Sequence, residues 1–239
     1  MIQPLPLTRR ALAVGGAAVM AAAVYAIANT TGGLRDWFPL VIIPVAYYLS
    51  GVFFVRPSRS VEDWLMSWDH RLLGDPGRAF VTWPAWTLTT LDVLYLGTLL
   101  TVPAGLWALW LAGEMQQADR YWTIVMGSLL ICYGGTAIIH TRPPRTLEGT
   151  HERAERRMQR IASGVVRNFS IGANTIPSGH VAAPLAVGLA LLNPLPTIGG
   201  LFLLLAIFIT LACITGRYHY IIDCALGAIV AVAIWIVQR

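Results

Sequence analysis

Long apolar runs separated by short polar breaks dominate the chain, and this pattern predicts an all-α, polytopic transmembrane bundle. The runs cover residues 11–28, 38–55, 87–112, 121–140, 181–192, 197–214 and 219–237. Several approach or exceed the ~18 residues that a membrane crossing needs. Seven runs predict seven spans, with six as the count if the first is removed as an export signal. That first run follows the basic Thr8-Arg9-Arg10 and closes on Ala26-Ile27-Ala28, as a cleavage site would, although an uncleaved helix is the preferred reading. Pro44 is tolerated inside the second run as a kink among neighbouring helices. No fixed-period repeat interrupts the pattern, so residues 1–239 read as one integral-membrane domain, with peripheral helices in 1–80 and the core motifs in 140–239.

Two further stretches have the spacing of interfacial helices. Ser60 is a candidate cap for a short helix whose Val61, Trp64, Leu65, Trp68 and Leu72 form one stripe and which Gly74 stops. Asp69 and His70 are then expected on its wet face. Within 146–176, Ala154, Met158, Ile161 and Val165 recur opposite Arg153, Arg156, Arg157 and Arg160, as in a basic amphipathic helix lying on the membrane. Such a helix seats the protein, attracts anionic lipid or gates access. Asp92, near the start of the 87–112 run, is expected to be solvated at a helix end.

Composition agrees with a membrane setting, since charged residues are 12% of the chain against roughly 25% in an average soluble domain. The net charge of +5 comes from arginine alone, there being no lysine. It suits membrane-facing loops better than a nucleic-acid surface, and no basic-aromatic groove pattern argues for nucleic acid. Cys132, Cys213 and Cys224 all sit in apolar runs and read as small core residues, not as a disulfide framework or zinc site.

The candidate chemistry begins at Pro177-Ser178-Gly179-His180, which opens an apolar helix. A helix start offers unpartnered N–H groups and the positive end of the dipole to an anion. Ser178 adds a hydroxyl, Gly179 permits close approach of a ligand to the backbone, and His180 exchanges protons near neutral pH. Alone, the tetrapeptide is equally a helix cap. After a hydrophobic hairpin turned by Asn193-Pro194-Leu195-Pro196, the chain reads Arg217-Tyr218-His219-Tyr220-Ile221-Ile222-Asp223. His219 and Asp223 are spaced i, i+4, so on a helix the carboxylate holds the imidazole in one tautomer. Both ends of the hairpin emerge on one face, which brings His180 and His219 together with Arg142 and Arg145 of Thr141-Arg142-Pro143-Pro144-Arg145.

This constellation suits phosphoryl transfer through a phosphohistidine. His219 attacks phosphorus, Asp223 orients it, and His180 protonates the leaving alkoxide and then activates water or an alcohol. Arg142, Arg145, Arg217 and the Ser178 and Gly179 amides stabilise the transferring oxygens. No metal or other cofactor is needed.

On Arg142-Pro143, Pro177-Ser178-Gly179-His180 and His219-Tyr220-Ile221-Ile222-Asp223, in that order, the chain resembles the type 2 phosphatidic acid phosphatase superfamily of integral-membrane lipid phosphatases and phosphotransferases. The resemblance covers about residue 142 to the end. It implies an all-helical bundle with its site at the membrane surface, His219 as nucleophile and His180 as general acid. Two departures stand out: Gly135 occupies the place of the family's lysine, seven positions before Arg142, and Cys213 that of its arginine, six before His219. Arg145 and Arg217 are the candidate substitutes. Their local sequences resemble a divergent branch that includes sphingolipid headgroup transferases.

The expected activity is a metal-independent lipid phosphate phosphatase whose partners are the bilayer and a lipid phosphate. The alternatives are a phosphotransferase to a lipid or polyol acceptor and a non-catalytic lipid-binding or transport module. The expected location is a bacterial plasma membrane. Arg9, Arg10, Arg56, Arg59, Arg142, Arg145 and the 153–160 cluster crowd the site face, with Arg35, Arg120 and Arg239 opposite. The positive-inside rule would make the site face cytoplasmic, whereas the family resemblance implies the outer face. Oligomeric state and lipid identity are not encoded in these patterns.

Overall fold

A computed structural model describes residues 6–30, 32–76, 78–80, 82–147, 164 and 171–239. The basic helix expected around Arg153 to Arg160 lies outside the described residues. Among those described, all regular elements are helical: α1 Leu7–Ala28, α2 Gly33–Trp37, α3 Pro39–Gly51, α4 Arg59–Leu73, α5 Ala85–Leu111, α6 Ala118–Gly135, α7 Gly179–Leu191, α8 Pro196–Thr215 and α9 Ile221–Val237. An antiparallel bridge joins Thr141 to Asn174.

Three of these helices, α1, α5 and α8, are long and apolar enough to cross a membrane. They make this an integral membrane protein by length and composition. Of the remaining expected spans, α3, α6 and α9 are shorter than their apolar runs, and α7 matches a run that is itself short. Helix α7 has 13 residues and α9 has 17. At 1.5 Å per residue α7 is about 20 Å long, against a hydrocarbon core of ~30 Å. The run at 181–192 is short because polar site residues open its helix and a proline-rich turn closes it.

Helix α7 is nevertheless the centre of the bundle, packing against α5, α6, α8 and α9. Its small residues Ala182, Ala183, Ala186 and Ala190 are buried and allow close approach. A Cβ on Gly188 would lie 2.7 Å from Leu203 Cδ2 of α8. The main core joins these alanines to Leu106, Leu109, Tyr121, Ile124, Val125 and Leu129 of α5 and α6. Outward-facing positions stay apolar, Leu99, Leu100, Ile207 and Ile229 among them, as a lipid-facing surface requires.

Helix α4 corrects two expectations. It starts at Arg59 with Ser58 at the cap position, and Gly74, at φ 74°, ends it. Its Asp69 is not on a wet face: it is 0% exposed, whereas His70 remains exposed and bonds to the Gly74 carbonyl. The helix presents Glu62, Leu65 and Asp69 to the protein on one buried stripe. Asp92 is likewise buried, and its Oδ1 accepts a 3.4 Å hydrogen bond from the Tyr218 hydroxyl.

Among the described residues, Arg9 lies at one end of the bundle and Arg35 and Arg120 at the other. Arg35 is paired with Asp119, and Arg120 donates to the carbonyls of Gln238 and Ala190, at the end where α7 finishes. Arg9 donates to the Phe54 carbonyl near the loop that carries Arg142.

Candidate active site

The site forms where the start of α7, the turn before α9 and the loop after α6 meet. His180 Nδ1 lies 3.1 Å from His219 Nε2, and His219 Nδ1 lies 3.2 Å from Asp223 Oδ2. With Nδ1–H donated to the carboxylate, His219 keeps its Nε2 lone pair, which accepts from His180 Nδ1–H. The imidazoles are thus hydrogen-bonded to each other across 39 positions of sequence.

Asn174, to which the sequence reading gave no role, holds the carboxylate from the other side. Its amide Nδ2 donates to Asp223 Oδ2 at 2.6 Å, and its own backbone N–H bonds to the Thr141 carbonyl at 2.8 Å. Asp223 therefore receives two donors on one oxygen, which fixes its orientation and through it the imidazole's. No spacing rule points to Asn174; only its place in a polar loop shortly before Pro177 hinted at it.

The Ser178 and Gly179 amides have partners inside the protein. Ser178 N–H donates to the Asp223 carbonyl at 3.0 Å and Gly179 N–H to Thr175 Oγ1 at 3.4 Å. Ser178 Oγ caps α7 by accepting from Val181 N–H. Ser178 is fully buried beneath α9, where a Cβ on Gly227 would stand 2.4 Å from its carbonyl oxygen. Gly227 is what lets α9 lie this close to the start of α7. Of the two amides, Gly179 borders the cavity described below.

The three predicted arginines take different positions. Arg142 is gripped by Glu62, which accepts from its Nε at 3.0 Å, its Nη2 at 2.8 Å and its backbone N–H at 2.8 Å. Burial alone would raise the Glu62 carboxyl, but these bonds and the Arg142 charge outweigh it and hold it below the ordinary carboxylate range. Arg217 is 0% exposed and forms a 2.7 Å ion pair with Asp69, whose other oxygen accepts the Ile221 N–H that opens α9. Burial pushes the Asp69 carboxyl up, with the Arg217 charge and the Ile221 amide pulling the other way. Arg217 also adopts φ 57°, a left-handed conformation that its surroundings must enforce. Arg145 alone of the three borders the cavity. Its backbone is tied to the Arg217 carbonyl at 3.1 Å, and its guanidinium lies 4.5 Å over the Tyr218 ring.

Glu62 and Asp69 are thus site-supporting residues that the sequence reading missed. Their i, i+7 spacing on the same face as Leu65 was the available signal. The departures at Gly135 and Cys213 also have structural reasons. A Cβ on Gly135 would come within 1.8 Å of the Ile176 carbonyl oxygen, so no side chain fits there. Cys213 is buried in an apolar cluster with Tyr95 and Tyr218, and its carbonyl accepts from the Tyr218 and His219 amides.

A cavity of about 430 Å³ opens from the imidazole pair. Its polar end holds His180, His219, Arg145, Asn174 and Thr175, and its long wall is apolar, from Ile43 and Pro44 of α3, Leu96 and Val102 of α5 and Leu129 of α6. The arrangement joins a basic, proton-exchanging end to a chain-sized apolar groove. No curated protein and no solved structure matches the chain. Residues 63–237, which run from α4 through α9 and contain both histidines, match the PAP2 superfamily, and the chain belongs to that superfamily.

Proposed function

We propose that this protein hydrolyses the phosphate monoester of a membrane lipid through a covalent phosphohistidine on His219. Membership of the PAP2 superfamily implies phosphatase-type activity on phosphate monoesters. The observation that carries the finer reading is the chain of contacts Asp223, His219, His180 at the polar end of an apolar cavity. In the free protein the two rings touch, so a phosphoryl group entering between them takes the place that His180 Nδ1–H holds at His219 Nε2. Nε2 then attacks phosphorus as the ester P–O bond breaks, and an imidazolium His180 gives its Nδ1 proton to the departing alkoxide. Neutral His180 next takes a proton from water, the resulting hydroxide attacks phosphorus, and the P–N bond breaks to release inorganic phosphate. Arg145 is the cation at the cavity that meets the phosphoryl oxygens, with the α7 start as a second positive field. Arg142 and Arg217 act by holding the loops that present Arg145 and His219. In the same reading, the shorter apolar helices with their flanking turns complete six or seven crossings, and the lipid's chain lies along α3 and α5.

The test is release of inorganic phosphate from a lipid phosphate in mixed micelles with chelator present, together with an acid-labile phosphoenzyme. Removing the nucleophile in His219→Ala should abolish both; undiminished turnover in that variant would sink the proposal.

A second reading, transfer of a phosphoryl headgroup to a lipid or polyol acceptor, is favoured by one observation. Among the described residues, two of the three candidate phosphate-binding arginines are neutralised by Glu62 and Asp69. One remaining cation suits a singly charged phosphodiester donor better than a doubly charged monoester. Offering alcohols against water to the trapped phosphoenzyme separates the readings, because a transferase discharges to one alcohol in preference to solvent.

A further inference from the structure

Beside the imidazole pair stands a column of stacked groups. The Tyr95 ring of α5 lies 4.9 Å from the His180 ring at 18° and 3.8 Å from the Tyr218 ring at 5°. The guanidinium of Arg145 covers Tyr218 at 4.5 Å. Tyr218 is tethered through its hydroxyl to Asp92, one turn before Tyr95 on the same helix. The order is therefore Arg145, Tyr218, Tyr95, His180.

Two aromatic rings so nearly face to face bring their electron-rich faces together, which is not the arrangement that a pair adopts unaided. A cation on an outer face offsets this, and Arg145 supplies one. The other outer face carries His180. The stack fixes the plane of that ring, with Nδ1 turned toward His219 Nε2. Resting on the phosphohistidine reading above, we propose that Tyr95 is a positioning residue for His180, its ring holding the imidazole where Nδ1 meets the leaving oxygen.

An impaired general acid reveals itself by leaving group. An alkoxide needs a proton to depart, and a nitrophenolate does not. The experiment compares a long-chain alkyl phosphate with p-nitrophenyl phosphate on the intact protein in micelles. Because His180 also activates the water that discharges the phosphoenzyme, the comparison is made on the first half-reaction. Tyr95→Leu should slow single-turnover release of the alcohol from the alkyl ester by about 10²-fold with substrate binding little changed, while the burst of nitrophenolate from the aryl ester stays within a few-fold. Tyr95→Phe, which keeps the ring, should restore the alkyl rate. Tyr95→Met provides an apolar replacement of similar reach in case the leucine variant fails to fold, and thermal unfolding checks both. An equal loss on the two esters, or no loss on either, would overturn the inference. A wild-type protein inert towards both esters would instead sink the parent reading and this inference with it.

Discussion

Helices α4 and α7 deliver polar side chains to the same corner of the bundle from opposite kinds of surface. Helix α7 is apolar on every face and contributes chemistry only at its first turn, where His180 and the Ser178 cap stand. Helix α4 is amphipathic and contributes two carboxylates from its buried stripe, Glu62 to the loop after α6 and Asp69 to the turn before α9. In the proposed mechanism the difference separates reacting groups from supporting ones: α7 brings a group to the cavity, and α4 pairs two guanidiniums with carboxylates. Variants of α4 should therefore act mainly on stability and loop geometry, and variants at the cavity mainly on turnover.

The largest expected effect tests the α4 side. Asp69→Ala leaves the Arg217 charge buried without its carboxylate and should cost about 3–5 kcal/mol, read as a fall in unfolding temperature in detergent. Pairing Asp69→Leu with Arg217→Met should recover most of that loss, because an apolar pair of similar volume replaces a buried ion pair at little cost. Full stability in Asp69→Ala would show that α4 is only seated against the site.

On the cavity side, Arg145→Ala should reduce turnover by about 10²–10³-fold, about 3–4 kcal/mol of transition-state stabilisation, with unfolding nearly unchanged. Arg142→Ala should fall short of that activity loss while lowering the unfolding temperature. If Arg142→Ala cost more turnover than Arg145→Ala, the division between the two helices would be wrong.

The smallest effect is a pH dependence at Glu62. Its carboxyl is held below its unfolded value, so its contribution is complete above the unfolded pKa near 4.5 and is lost as pH falls through the folded value. Acid titration of the unfolding temperature should therefore show a decline beginning below about pH 4.5, and Glu62→Gln should flatten it by about 1 kcal/mol or less. Arg142, with 37% of its side chain exposed, keeps the size of this effect small.

Much of this was readable along the chain. The apolar runs located α1, α5, α6, α8 and α9, Gly74 marked the end of α4, and the histidine motifs pointed to the residues that meet. Such features depend on neighbours within a few positions, where periodicity and capping act. The partners of Arg142 and Arg217 were not readable, since they lie 80 and 148 positions away and pair only once α4 packs under both loops. Asp92 was misjudged for the same reason: its hydroxyl partner, Tyr218, lies 126 positions further on.

The sequence by itself determined that the chain forms apolar helices, that two imidazoles and a carboxylate stand at helix starts, and that arginine is the only strong cation available. Which arginine faces the cavity was decided by tertiary packing alone. A guanidinium's role depends on the nearest carboxylate in space, and for Arg217 and Asp69 burial makes that pairing too costly to break in favour of a ligand.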